Sequence, residues 1–387
     1  MSDSSRVQMA YANEVTWGVI PAVAFTSLRF TGEGLNFNIA NIVSNEIRSD
    51  RQITDLVQVD AEASGPLNFE MSYGTYDDFL LGALFDSAWS TAVAVSETDI
   101  TAANADNSYN TTAGDFVTDG VVPGMWLLAA GFSNAANNGF FRVVSVTTTK
   151  IVAAGLTLVD ETAGTRTFDN SGMIRNGVTE NSFVMEKFFS DKTQYHTFAG
   201  CLVSTLTLNL IVGEFLTGSM EFLGKDMVRD TATAGSGAYG AASTTPVMNA
   251  VANVQSILEG GTELVAPYAL RQVTCTINNN LRGLKAIGVL GNFDIGIGRS
   301  LINGTMQMYF EDGAMVDKFI NSTETKLEFV VQDTAGNAYV VSFPRIKITT
   351  QEVVAGGIDQ DVLLDMEWQA IRDATNDYTV QIDRFAA

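Results

Sequence analysis

One pattern occurs twice in this chain, and a chain that repeats a pattern packs the same unit twice. Gly65-Pro66-Leu67-Asn68-Phe69-Glu70-Met71 and Gly304-Thr305-Met306-Gln307-Met308-Tyr309-Phe310 each open on glycine and then place an apolar side chain at every second position. Leu67, Phe69 and Met71 match Met306, Met308 and Phe310, and the alternate positions carry Asn68, Glu70, Gln307 and Tyr309. A period of two is that of a strand with one face in a core and the other outside.

Each strand leads into a helix signal, Thr75 to Phe85 in the first copy and Ala314 to Ile320 in the second. Tyr76, Leu80 and Ala83/Leu84 keep helical spacing, and Asp77 and Asp78 fall in the first turn, where carboxylates suit the helix dipole. Beyond the helices the order continues. Phe183 to Phe189 matches Leu327 to Val331, and Tyr195 to Phe198 matches Tyr339 to Phe343. Leu202 to Leu210 matches Arg345 to Val353, and Gly218 to Leu223 matches Leu364 to Gln369. Glu221 and Glu367 fall at the same place, each followed by an aromatic.

The copies differ between Phe85 and Phe183, where the first carries an insertion with strand patterns of its own at Met125–Leu128, Gly139–Val146 and Gly155–Val159. An insertion at a helix–strand connection is expected to project from the surface. The expected fold is mainly β: two tandem β-sandwich domains, each with a short flanking helix, plus an inserted small β-barrel or sandwich. The expected boundaries are 1–88 with 179–230 for the first domain, 89–178 for the inserted surface module, and 246–387 for the second domain. Residues 231–245, small, polar and Gly-rich, read as the linker. Ile39 to Ala63 reads as a long polar connection between strands, of a length that is usually functional or extends into a neighbour.

Composition narrows the function. The 387 residues include 44 acidic and 22 basic ones, a net charge of −22. That balance argues against gripping nucleic acid, which requires Lys and Arg to displace phosphate counterions, and against docking on an anionic membrane. No apolar run is long enough to span a bilayer, and no signal peptide is evident, so a soluble chain without membrane insertion is expected. Cys201 and Cys275 lack partners at metal-ligand spacing and read as core residues; His196, the single histidine, reads as a sheet-surface residue.

Searching for chemistry returns little. Phosphate loops, the Gly-x-Ser-x-Gly elbow and His-Glu-x-x-His are absent. Gly291 to Gly298 approaches a dinucleotide fingerprint but sits in strand-like sequence, and Asp359-Gln360-Asp361 lacks the distal residues of a calcium loop. No catalytic residue, metal or cofactor is expected, and the chain is not read as an enzyme.

A family resemblance rests on the first copy. Tyr11-Ala12-Asn13-Glu14-Val15-Thr16-Trp17-Gly18 is followed by Leu28-Arg29-Phe30-Thr31-Gly32-Glu33-Gly34, by Asn45-Glu46-Ile47-Arg48-Ser49-Asp50-Arg51 and by Ser72-Tyr73-Gly74-Thr75-Tyr76-Asp77. This order resembles the major tail tube protein of long, non-contractile-tailed bacteriophages, and looks most like the version in Chi-like, flagellum-seeking phages. The resemblance implies a β-sandwich with a flanking helix that assembles into stacked rings, the sheets of neighbours joining around a lumen through which the genome passes. A chain holding two such folds would close a ring as a pseudo-hexameric trimer.

The resemblance also implies site residues and partners. Asn68, Glu70, Glu221, Asp365 and Glu367 are the candidates for a polar lumen face, whose acidity would let DNA slide without being held. Arg48, Asp50, Arg51 and Asp55 in the long connection are the candidates for contact with the adjacent ring. Expected partners are further copies of the chain, the tail tip, tape measure and tail terminator proteins, and DNA in transit. The expected location is the virion, after synthesis in the host cytoplasm. Two other classes stay open: a virion or cell-surface adhesin or decoration protein binding a receptor or glycan through the inserted module, and a glycan-active enzyme using a carboxylate pair.

Overall fold

The computed structural model describes residues 3–250, 253–263 and 270–387. It is mainly β, with two short helices, α1 (Asp77–Leu84) and α2 (Ala314–Ile320), where the two helix signals stand. Asp77 and Asp78 lie in the first turn of α1, beside the unpaired N–H groups, while Phe79, Leu80, Ala83 and Leu84 are buried. The helix stops at Phe85, whose left-handed backbone (φ 55°) returns its N–H to the Gly82 carbonyl.

One scheme of strand pairing is built twice. The first unit uses β1 (Val7–Asn13), β2 (Asn36–Val43), β3 (Leu56–Glu70), β4 (Phe183–Phe189), β5 (Gln194–Ile211), β6 (Thr217–Gly224) and β7 (Asp226–Asp230). The second uses β8 (Val254–Glu259), β9 (Leu270–Asn278), β10 (Leu301–Tyr309), β11 (Thr325–Gln332), β12 (Ala338–Ala355), β13 (Val362–Ala370) and β14 (Gln381–Phe385). In the first, β4 lies between β1 and β5, and β7 pairs with the leading half of β5. The trailing half of β5 pairs with β6, which continues to β3 and β2. In the second, β11 lies between β8 and β12, β14 pairs with the leading half of β12, and the trailing half continues through β13 and β10 to β9. β5 and β12 are each 18 residues long, enough to run from one sheet into the next. Each unit is therefore a sandwich whose two sheets share a strand.

Glycine marks the same rung in both. Gly65 stands opposite Phe222 and Gly304 opposite Trp368. A Cβ at Gly65 would sit 2.2 Å from the Gly34 carbonyl oxygen, and one at Gly304 2.0 Å from that of Thr274, so the adjoining backbones approach too closely for any other residue. Inward side chains from both units, among them Leu67, Phe69, Phe79, Phe183, Leu206, Met220, Met306, Phe343 and Trp368, form one continuous apolar core.

The inserted segment contains a closed six-stranded barrel built from Val93–Ala103, Ser108–Asn110, Trp126–Ala130, Gly139–Thr147, Lys150–Ala154 and Glu161–Asn170, around Tyr109, Phe116, Phe141 and Phe168. The strand expected at Gly155–Val159 is not formed. The Asn107 side chain bonds the Leu156 carbonyl and the Leu158 N–H, and the Asn137 side chain bonds the Val159 N–H and carbonyl, so asparagine amides take the place of a ladder.

Nor does the barrel project freely. Trp126 is 1% exposed and packs with Leu258, Val330, Val340 and Phe385 of the second unit. Its indole N–H donates to Ser342 Oγ at 2.8 Å, and Arg142 lies 3.2 Å from the Glu328 carboxylate. Two further segments carry more structure than a bare connection needs. Ile39 to Ala63 is largely a two-stranded arm, β2 and β3 pairing as far as Val43 opposite Leu56. Residues 231–245 lie as a strap over the first unit: the Thr233 and Tyr239 hydroxyls and the Ala234 N–H all donate to Glu186.

Candidate functional site

The feature with most bearing on function is a seam. The trailing half of β5 pairs antiparallel with β9, from Thr205 opposite Asn278 to Ile211 opposite Gln272. Because β5 belongs to the first unit and β9 to the second, this ladder fuses one sheet of each into a single surface, in the order β2, β3, β6, β5, β9, β10, β13, β12.

Alternation sorts that surface into two faces. Leu206, Leu208 and Leu210 of β5 are buried, while Thr205, Thr207 and Asn209 face the other way. Residues opposite one another in a ladder share a face, so the registers carry the polar face across the sheet. Glu70 opposes Thr217, Asn68 opposes Ser219, and Glu221 opposes Thr205. Across the seam Thr207 opposes Thr276, their hydroxyls 3.3 Å apart. Asp365 opposes both Gln307 and Glu352, and Glu367 opposes both Thr305 and Thr350. Asn68, Glu70, Glu221, Asp365 and Glu367 therefore lie on one face of one sheet, 299 residues apart in sequence at the extremes.

That face is concave at the second unit. A trough of 330 Å³ is lined by Gln272, Thr305, Gln307, Thr350, Glu352, Asp365 and Glu367, and Gln307 donates to Asp365 at 2.7 Å. Sequence reading missed Glu352 as a member. The register breaks between Ile348 and Thr350, and this irregularity sets which of the following side chains share the face of Glu367.

Both outer borders of the sheet are open among the described residues. β12 from Lys347 to Ala355 is paired only with β13, and β2 only with β3. Exposed edges of this length are templates for pairing with another chain.

Arg48, Asp50, Arg51 and Asp55 sit at the exposed tip of the β2–β3 arm. Arg48 pairs with Asp50 at 2.8 Å, which lowers the Asp50 carboxyl below its ordinary range. Arg51 has a left-handed backbone (φ 59°), and Asp55 accepts the Leu56 N–H. These contacts shape the tip and leave it facing outward.

Asp77 and Asp78 do more than complement a helix dipole. Asp77 accepts from Tyr339 and Arg384 of the second unit, and Asp78 accepts from Tyr11 at 3.0 Å, so α1 ties the two units together. Burial raises the Tyr339 hydroxyl well above its ordinary range, with the Asp77 charge adding to it. Glu14 accepts from the Gly18 and Gly200 N–H groups and the Ser182 hydroxyl, while the Trp17 indole N–H donates to the Gly200 carbonyl. The Glu-x-x-Trp-Gly motif is thus a loop clasp on β5. Cys201 and Cys275 are buried, and burial drives both thiols far up. His196 is half-buried and edge-on to Phe189. Asp359 to Asp361 form an exposed turn. Among the described residues no group of three or more His, Cys, Asp or Glu is placed to hold a metal ion, and no helix is long and apolar enough to cross a membrane.

Two fused sandwiches with open borders and a polar sheet face define a structural protein built to join others of its kind. A family model described as phage tail tube protein matches residues 4–370, and the chain belongs to that family. It is accordingly a structural component of the phage virion that assembles into a tube. No curated protein matches the chain.

Proposed function

We propose that this chain forms the tail tube of a long-tailed, non-contractile phage of the Chi-like kind as stacked trimeric rings, each of pseudo-sixfold symmetry. The units are 1–88 with 179–230, and 246–387; 231–245 joins them and 89–178 is an insertion. The observation that carries this is the β5–β9 seam, a junction between two like units already made inside one molecule. The same junction made between molecules joins the free edge of β12 to the free edge of β2 and the Gly32–Glu33 strand of the next copy. Three chains then supply six units, and no edge is left over.

In this ring the polar face carrying Asn68, Glu70, Glu221, Asp365 and Glu367 lines the lumen. Its carboxylates repel the phosphate backbone, so genomic DNA passes without adhering. The arm tip with Arg48, Asp50, Arg51 and Asp55 reaches the adjoining ring. Tail tip, tape measure and terminator proteins meet the tube at its ends and interior, and the chain is made in the host cytoplasm before it enters the virion.

Negative-stain images of the purified chain test the assembly: tubes whose axial projection has threefold order around a central hole support it, and discrete particles without a hole refute it. Glu70→Lys with Glu221→Lys tests the lumen. Intact mutant tails that deliver DNA normally would remove these residues from the channel wall.

A further inference from the structure

The second unit has an arm of its own. Between β9 and β10, residues 279–300 fold back as a short hairpin of Arg282–Leu284 with Asp294–Gly296, and it lies on the first unit. Lys285 pairs with Asp60 at 2.6 Å and donates to the Ala61 carbonyl at 2.8 Å. Asn292 donates to the Gly224 carbonyl at 2.9 Å, and Ile295 packs with Leu202 and Leu223.

The β2–β3 arm is the counterpart of this one. β2 leads into it as β9 leads into the other and β3 leaves it as β10 does; the rung Asn38–Glu62 encloses residues 39–61 and the rung Asn278–Leu301 encloses residues 279–300. Counted back from the shared Gly65 and Gly304, Leu56 holds the place of Ile295 and Arg299 that of Asp60; across the tip Val43 opposes Leu56 as Gly283 opposes Ile295, so Asn45 holds the place of Lys285 and Glu46 is the residue after it. Yet Leu56 is 60% exposed where Ile295 is 3% exposed. The second arm has a unit beneath it; among the described residues the first arm has no unit beneath Leu56.

We propose that the base of the β2–β3 arm seats on the second unit of the neighbouring copy in the same ring, with Glu46 paired to that copy's Arg299. The inference rests on the ring reading above. Its charges are complementary with the signs reversed: Lys285 meets Asp60 inside the chain, and Glu46 meets Arg299 between chains. Both Glu46 and Arg299 are exposed, and among the described residues neither has an ion pair. The receiving surface adds Lys347 and Gln369, which oppose each other as Leu202 and Leu223 do, and their aliphatic stems cover Leu56.

Charge exchange tests this on the full chain. Glu46→Arg and Arg299→Glu alone are each expected to raise the concentration needed for ring assembly by about 10-fold, because like charges then face each other, and the double exchange is expected to restore it. Thermal melts of the three variants should match wild type, since both sites are solvated. Light scattering and native mass measurement read the species formed. Rings that form normally in both single variants overturn the lateral contact, as does a double variant no better than the singles. Rings that form but fail to stack also overturn it, since the pair then lies between rings. If wild-type chain makes no rings at all, it is the tube reading that fails.

Discussion

Glu186 and Glu328 stand on the same rung of the two repeated ladders, Glu186 opposite Thr197 and Glu328 opposite Ser342, and are 0% and 2% exposed. A buried carboxylate requires partners. The first unit supplies them from the strap at Thr233, Ala234 and Tyr239, and the second from the inserted barrel through Arg142, with Lys326 3.9 Å away. Strap and barrel cover the same place on the two units.

Glu186→Ala should destabilise the chain by about 2–4 kcal/mol, because the Thr197, Thr233 and Tyr239 hydroxyls and the Ala234 N–H lose their acceptor in a buried site. Denaturant midpoints measure the loss, and hydrogen exchange should show residues 233–240 opening first. Unchanged protection of the strap would show that the carboxylate does not hold it.

Gly304→Ala should cost about 1–3 kcal/mol through the forced separation of β9 and β10. Gly213→Ala, where a left-handed backbone (φ 84°) faces open space, should cost about 1 kcal/mol from conformation alone. Thermal melts of the two variants separate a steric effect from a backbone effect; equal losses would discount the close approach at Gly304.

The Asp383 carboxyl, at the joint between barrel and second unit, is pushed up to about 7 by burial, although Trp126, Asn170 and Gln381 all donate to it. Its pKa is raised on folding, so the native state binds a proton that the unfolded chain releases. Its contribution to stability therefore rises as pH falls from about 7 towards about 4 and is lost as pH climbs through 7, a swing of roughly a few kcal/mol. Asp383→Asn should abolish this swing, read as the difference between variant and wild-type denaturation midpoints at several pH values. A constant difference across the range would acquit the carboxyl.

In the proposed ring, the inner seam predicts the register of the outer one. Thr205 opposes Asn278 and Glu221, and Thr350, opposite Glu367, holds the place of Thr205. Asn38, opposite Glu62, holds the place of Asn278. Thr350→Cys with Asn38→Cys should give disulfide-linked oligomers on mild oxidation of tubes, while Cys201 and Cys275 stay buried and silent. Crosslinking only at a register shifted by one or two residues would break the equivalence between the seams.

The repeat was legible because period-two alternation survives when identity does not: Leu67 and Phe69 announce the same strand as Met306 and Met308, whereas Met71 and Phe310 lie just past the strand ends and Phe310, unlike Met71, is exposed. Both helices were legible for the same reason, with Asp77 and Asp78 marking a first turn. The five candidate polar residues could be named but not placed together, since a shared face depends on registers between strands far apart in sequence. The arm was hidden because Ile39, Ile42, Val43, Leu56, Val57 and Val59 are interleaved with charged and polar residues and stay exposed in the folded chain, so no buried face marks its strands. The barrel's docking was hidden because Trp126 and Arg142 look like ordinary residues of a small module until Ser342 and Glu328 are beside them.

The inserted barrel leaves the first unit and comes to rest on the second, and the arm 279–300 leaves the second and comes to rest on the first. Each half wears a piece of the other. A gene cut at residue 245 would yield two products with bared grease, and rejoining them would mean threading both pieces home at once. Such mutual lodging makes the whole polypeptide the smallest brick from which a wall can be laid.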